Sequence, residues 1–363
     1  MVSTRLLLQL APVLRLPQAT RSITSLAKRG KGGRSSFSGV VATVFGGPGF
    51  LGRYVVNRLG RVGSQVVVPY RGDEHDYRYL KPMGDLGQIV FVKYDLRDPE
   101  SVYKAVKHSN VVINLVGRDY ETRNFSFTDV NVNGARTIAE ACQAAGVKRL
   151  IHFSALNATS DSPSQFLQTK AQGEELVREV FPTATVVRPA DTYGHEDRFL
   201  HYYASLRVFP FGVIPVMSGA DQTTKRPVYV GDIAHAVGSI ISDSATAGKT
   251  YELAGATEYP LPELIQYIYR VMYRQCTVTP LPRALYRFVS SLMELNPFVP
   301  YMTRDIATRL HLSNTPTPGL PGLEDLGVTP THLEDVAINF IRRYRNFMDF
   351  DHPIEETHPN RPS

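Results

Sequence analysis

Hydrophobic positions between residues 39 and 72 change period twice. Residues 40–45 are a short β-branched run. Phe50, Leu51, Tyr54, Val55, Val56 and Leu59 then recur at helical spacing, and Val66–Val68 returns to a strand-like run. This predicts strand, turn, helix, strand: one βαβ unit. Further strand-like runs lie at 89–93, 111–116, 149–154 and 184–188, with helical segments at 132–145 and 167–179. Such alternation implies an α/β fold, a Rossmann-type doubly wound parallel sheet with right-handed crossovers. Beyond residue 190 the pattern loosens. The apolar stretch 205–217 is interrupted by Pro210 and Pro215 and reads as a core segment or a pocket-lining loop. Residues 262–294 form two helical stretches, the second with Leu285, Phe288, Val289 and Leu292 on one face. A Pro/Gly linker (314–327) and a last amphipathic helix (332–346) follow.

Charge is distributed unevenly. The first 40 residues hold seven basic residues (Arg5, Arg15, Arg21, Lys28, Arg29, Lys31 and Arg34), and the first acidic residue of the chain is Asp73. Setting those seven aside from the 40 Lys+Arg leaves 33 against 34 Asp+Glu, so the remainder is near neutral and carries no nucleic-acid footprint. The basic segment has Leu6, Leu7, Leu10 and Leu14 at helical spacing, which reads as a mitochondrial transit peptide over 1–36, cleaved between Arg21 and Phe37. Only Cys142 and Cys276 are present, without a CxxC, which suits a reducing compartment. The sequence has no apolar run long enough for a spanning helix. The ten histidines form no HxxxH or HExxH, and there is no Gly-x-Ser-x-Gly elbow, so no metal site and no hydrolase nucleophile are expected.

Gly46-x-x-Gly49-x-x-Gly52 stands between the first strand and its helix. In that setting Gly46 permits the tight turn and Gly49 lets the backbone approach a pyrophosphate. Gly52 allows close helix packing, and the helix N-terminus offers N–H groups to phosphate. At the end of the second strand, where an acidic residue would bond both ribose hydroxyls of NAD, Arg71 stands instead. Arg71 can pair with a 2′-phosphate, which selects NADP(H); Asp73 is the competing reading.

The motifs "VFGGPGFLG" (44–52), "KYDLRD" (93–98), "NLVG" (114–117), "RPADTYG" (188–194) and "RPVYVGDIAHAV" (226–237) resemble the extended, atypical short-chain dehydrogenase/reductase superfamily over roughly 40–240. With its leader and C-terminal extension, the chain is similar to superfamily members that serve as accessory subunits of mitochondrial respiratory complex I. The resemblance implies an organisation: an NADP(H)-binding domain over 38–240, a smaller C-terminal lobe with partner-contact helices over 241–350, to which 192–225 contribute, and a polar tail at 351–363. It also implies cofactor-binding roles. Gly46, Gly49, Phe50, Leu51 and Gly52 would form the phosphate turn and Arg71 the 2′-phosphate contact. Asp95 and Leu96 would sit beside the adenine, though Asp95 also reads as a helix cap. Leu115, Val116 and Gly117 would pass under the ribose, with Ser154 after the fifth strand and Pro189 near the nicotinamide.

In that superfamily a tyrosine hydroxyl moves the proton as hydride moves, and a lysine four residues on lowers its pKa and bonds the nicotinamide ribose, the cofactor-binding role implied for Lys170. Here "FLQTK" (166–170) places Phe166 where the tyrosine belongs and keeps Lys170 one helical turn on. Leu156 stands where the usual Ser/Thr partner is expected. Loss of a general acid typically costs 10²–10⁴-fold in rate, so no catalytic residue is assigned. The expectation is a non-catalytic subunit, peripheral on the matrix side of the inner membrane. Its partners would be other complex I subunits, with the helices of 262–302 meeting them or the membrane surface. The alternative is an NADP-dependent reductase or epimerase for a lipid, sugar or quinone-like substrate, with Tyr193 or His195 supplying the proton.

Overall fold

A computed structural model describes residues 28, 30, 32–208, 212–296 and 299–346. The transit-peptide reading falls mostly, and the polar-tail reading wholly, outside them. Six strands come in quick succession: β1 (Val41–Phe45), β2 (Gln65–Tyr70), β3 (Ile89–Lys93), β4 (Val111–Asn114), β5 (Arg149–Phe153) and β6 (Thr185–Pro189). Three two-stranded ribbons follow: β7 (Thr192–Tyr193) with β10 (Val228–Tyr229), β9 (Thr224–Lys225) with β12 (Tyr259–Pro260), and β8 (Val213–Met217) with β13 (Thr277–Leu281). With β11 (Thr250–Leu253), the first six strands make one parallel sheet in the order β11-β6-β5-β4-β1-β2-β3.

Both faces of that sheet are covered, which is why its central strands are buried without alternation. On one face α1 (Phe50–Arg61) and α6 (Val230–Ser242) bury Val55, Val56, Leu59, Ile233 and Val237. On the other, α2 (Pro99–Val106), α3 (Gly134–Ala145) and α4 (Gln165–Val180) bury Val102, Ile138, Cys142 and Val177. Each such side chain is worth about 1.5–3 kcal/mol of burial, as an upper bound. The strand order reverses between β1 and β4, opening a crevice at their carboxyl ends.

A second core is built by α5 (Phe199–Ser205), α7 (Leu261–Val271), α9 (Arg304–Leu310), α10 (Leu333–Ile341) and β8. Between α7 and α9, α8 (Arg283–Glu294) behaves differently. It buries Tyr286 and Ser290 and turns Leu285, Phe288 and Leu292 outward at 47%, 61% and 54% exposure.

Two features depart from the sequence reading, and a third decides between its alternatives. The main sheet takes its edge strand β11 from beyond residue 240, because Thr250–Leu253 ladders on β6. The 314–327 stretch is no free linker. Glu252 accepts hydrogen bonds from the Thr317 N–H and hydroxyl, its own N–H donates to the Pro321 carbonyl, and Leu323 and Leu326 are buried. The described part of 205–217 contributes a strand with Ile214 and Val216 buried, in line with the core reading; its partner β13 gave no local signal.

Candidate functional site

The glycine turn closes the crevice on the β1 side. Gly46 has φ +77°, and a Cβ there would meet the Leu115 carbonyl at 3.0 Å. The Gly49 N–H donates to the Gly46 carbonyl at 2.9 Å, and Gly49 begins α1 with no side-chain cap and no acidic residue in the first turn. A Cβ on Gly52 would sit 2.3 Å from the Gly46 oxygen, so only glycine lets the helix approach this closely. Phe50, in the first turn, lies edge-on to Tyr54 and against Gly194, and Leu51 packs at the margin of the sheet core.

Past β2, the Arg71 guanidinium lies 4.8 Å from the centroid of the Phe125 ring. Past β3, Asp95 is exposed and accepts the Arg97 N–H at 2.9 Å. The cap of α2 is Asp98, which accepts from the Glu100 N–H, so the cap reading of Asp95 does not hold. Leu96 is buried against Gly134.

Lys170 sits at the centre of the other end. It is buried, and its Nζ donates to the Phe153 carbonyl at 3.1 Å, at the end of β5, and to the Val116 carbonyl at 3.3 Å, just past β4. Burial pulls its ammonium down to about 8, against the attraction of Glu174 and Asp119. A Cβ on Gly117 would touch that Nζ at 3.2 Å. Leu115 donates its N–H to Phe45, and Val116 donates its own to the Asn114 side chain, so the backbone after β4 is held in place. Asn114 also bonds His152, whose imidazole burial and the nearby Lys170 depress to about 3. Ser154 is fixed through its N–H to Val187, yet its buried Oγ has no partner among the described residues. Pro189 accepts the N–H of Leu156, which is buried.

Phe166 faces this lysine. The Ser164 hydroxyl caps α4, which sets Phe166 and Lys170 one turn apart, with Nζ 5.9 Å from the ring centroid. The buried ring lies edge-on to Phe127 and under the Arg309 guanidinium at 4.3 Å. Arg309 pairs with Asp119 at 3.0 Å, and Arg198 pairs with the same carboxylate at 3.2 Å. Burial opposes ionisation of Asp119, but Arg309 and Arg198 outweigh it and hold the carboxyl below its ordinary range. From α9, Asp305 accepts the Ser164 hydroxyl and the Gln165 N–H, so the second lobe is tied to the start of α4. Below the lysine, Glu174 makes a forked pair with Arg188, which also reaches Glu252.

The two substitute proton donors point elsewhere. The Tyr193 hydroxyl donates to the Thr331 carbonyl, its ring lies in the second core, and burial pushes its phenol up. His195 lies edge-on to Phe340. Sequence reasoning missed Arg97, Asp119, Phe125 and Arg309. The charged and aromatic run "GRDYETRNF" after the "NLVG" strand end was the available signal for two of them. Among the described residues no cluster of His, Cys, Asp or Glu could hold a metal ion, and no helix is long and apolar enough to cross a membrane.

Residues 43–183 match the 3-beta hydroxysteroid dehydrogenase/isomerase family. Over 330 residues the chain is 51% identical to the mitochondrial NADH dehydrogenase (ubiquinone) 1 alpha subcomplex subunit 9 of Mus musculus, covering 91% of this chain and 87% of that one. The chain belongs to the alpha-subcomplex subunit 9 family, within the extended short-chain dehydrogenase/reductase superfamily. The 40 kDa subunit of the mitochondrial NADH-ubiquinone oxidoreductase of Neurospora crassa is 39% identical, over 90% of this chain and 85% of that one. The fold of this family member is shared with an NADPH-dependent quinone oxidoreductase of Escherichia coli solved with NADPH, at a TM-score of 0.65 and 21% identity, over 82% of this chain and 98% of that one.

The residues present fit a dinucleotide. The turn around Gly46, Gly49 and Gly52 leads into a helix start that no side chain caps among the described residues. At the far end the buried Ser154 Oγ, without a partner among the described residues, stands next to the carbonyl that Lys170 holds.

Proposed function

We propose that this chain is an accessory subunit of mitochondrial respiratory complex I, peripheral to the inner membrane on the matrix side, that holds NADP(H) as a fixed part of its fold without turning it over. The observation that carries this is the Phe166–Lys170 pair. The lysine is buried and aimed at the strand ends, and the side chain facing it has no proton to give.

The glycine turn and the start of α1 would hold the pyrophosphate, and Arg71 the 2′-phosphate. Asp95 and Leu96 would flank the adenine, and Leu115, Val116 and Gly117 the ribose. Ser154, Lys170 and Pro189 would meet the nicotinamide end. When bound, the nucleotide supplies a hydride to any acceptor that can also be protonated. Phe166 offers no such proton, and Arg309 covers the ring from the side of the second lobe. A ligand that binds only the folded state stabilises it by about 4 kcal/mol at a thousandfold excess over its dissociation constant. The outward apolar stripe of α8 supports contact with other subunits of that complex and with the membrane surface.

A second reading, an NADP-dependent reductase or epimerase for a lipid, sugar or quinone-like substrate, is favoured by one observation, the Ser154 hydroxyl that has no partner among the described residues. The test purifies the wild-type chain and Phe166→Tyr and measures bound nucleotide and NADPH oxidation over a panel of carbonyls and quinones. The accessory reading expects retained NADP(H), no oxidation by wild type, and migration in a large respiratory assembly on native gels. Steady oxidation by wild type that Ser154→Ala abolishes establishes the enzyme instead.

A further inference from the structure

Arg97 was assigned no role by the sequence, yet it shares a ring with Arg71. Its guanidinium lies 4.3 Å from the Phe125 centroid, and that of Arg71 lies 4.8 Å from the same centroid. The three residues come from three separate connections: the residue after β2, the turn between β3 and α2, and the loop after β4. Phe125 is held by the loop itself, through paired backbone hydrogen bonds with Thr122, and Arg97 reaches the carbonyl of Asn124. Both arginines are exposed, and neither makes an ion pair among the described residues.

Two guanidiniums drawn to one ring repel each other, and cation–π attraction at an exposed site returns only about 0.5–1 kcal/mol each. A bound dianion would convert that repulsion into two charge-assisted contacts. The strand ends that carry these arginines belong to the adenosine half of the crevice, since β2 and β3 lie on that side of the strand-order reversal.

We propose that Arg71 and Arg97 form a two-armed site for the 2′-phosphate of the bound nucleotide, with Phe125 as the positioning residue that holds both arms. The proposal rests on the reading of this crevice as an NADP(H) site. It makes Arg97 a determinant of NADP(H) over NAD(H), and it makes the loop after β4 part of the selectivity filter.

The test uses the full mature chain stripped of nucleotide, with adenosine 2′,5′-bisphosphate and AMP as probes in calorimetry. Arg97→Ala is expected to weaken the bisphosphate at least tenfold and AMP less than twofold, and Arg97→Lys to recover part of the loss. Phe125→Leu, which keeps the apolar volume but not the ring face, is expected to weaken the bisphosphate several-fold, with Phe125→Tyr restoring it. An unchanged bisphosphate affinity in Arg97→Ala, or equal losses for both probes, overturns the proposal. If Arg71→Ala alone lowers the preference, the single-arginine reading survives and the two-armed site does not. If wild type prefers neither probe, the NADP(H) reading itself fails and takes the inference with it.

Discussion

Arginine lies over two phenylalanine rings, Phe166 on α4 and Phe125 in the loop after β4, but the two ends of the crevice differ in charge. Over Phe166, Arg309 is matched by Asp119, which also takes Arg198, and Glu174 lies beneath Lys170. Over Phe125, Arg71 and Arg97 have no carboxylate in ion-pair reach among the described residues. The same cation–π contact therefore does two jobs. Neutralised at the Phe166 end, it closes the lobe interface over the ring. Left cationic at the Phe125 end, it is ready for an anion.

The strongest way to break this contrast is to strip carboxylate from beneath Lys170. Glu174 is almost fully buried in its fork with Arg188, so Glu174→Gln leaves that guanidinium half-paired and is expected to cost about 3 kcal/mol. Denaturant unfolding of the nucleotide-free chain reads this directly, and a loss under about 1 kcal/mol would show that Glu252 alone suffices.

Titration separates the two ends next. Burial lowers the Lys170 ammonium from 10.5 to about 8 in the fold. Between those values the unfolded chain carries the extra proton, so stability of the nucleotide-free fold rises with pH across the window. NADP(H), which would meet the Lys170 ammonium, is expected to bind more weakly from about pH 7 to about pH 9.5, while adenosine 2′,5′-bisphosphate stays level. A parallel decline of both ligands contradicts the division of the crevice into two ends.

The smallest effect is expected from Asp119→Asn. The carboxylate is more than a third exposed, so its two ion pairs are worth about 0.5 kcal/mol after screening. The informative readout is elsewhere: Arg309 and Arg198 become a free cationic pair, and a second, weak phosphate site measurable by calorimetry is expected at the Phe166 end.

The crevice was legible in the sequence where it depends on backbone. Gly46 and Gly52 are demanded by a positive φ and by carbonyls 2–3 Å from any Cβ, and such demands leave glycines at fixed spacing. Phe166 and Lys170 were legible as a pair because both lie on one helix, four residues apart. Arg97, Phe125, Asp119 and Arg309 were not, because each acts through a partner from a different element. The ladder of β13 on β8 was hidden for the same reason.

By itself, then, the sequence determined the alternating sheet, the glycine turn and the placing of Phe166 one helical turn before Lys170, since local periodicity and helical spacing encode all three. Only the tertiary structure decided that Lys170 is buried, that α8 turns its apolar stripe outward, and which arginines keep a carboxylate. Burial and charge pairing depend on segments that meet only when the chain folds, and no local pattern records which ones meet.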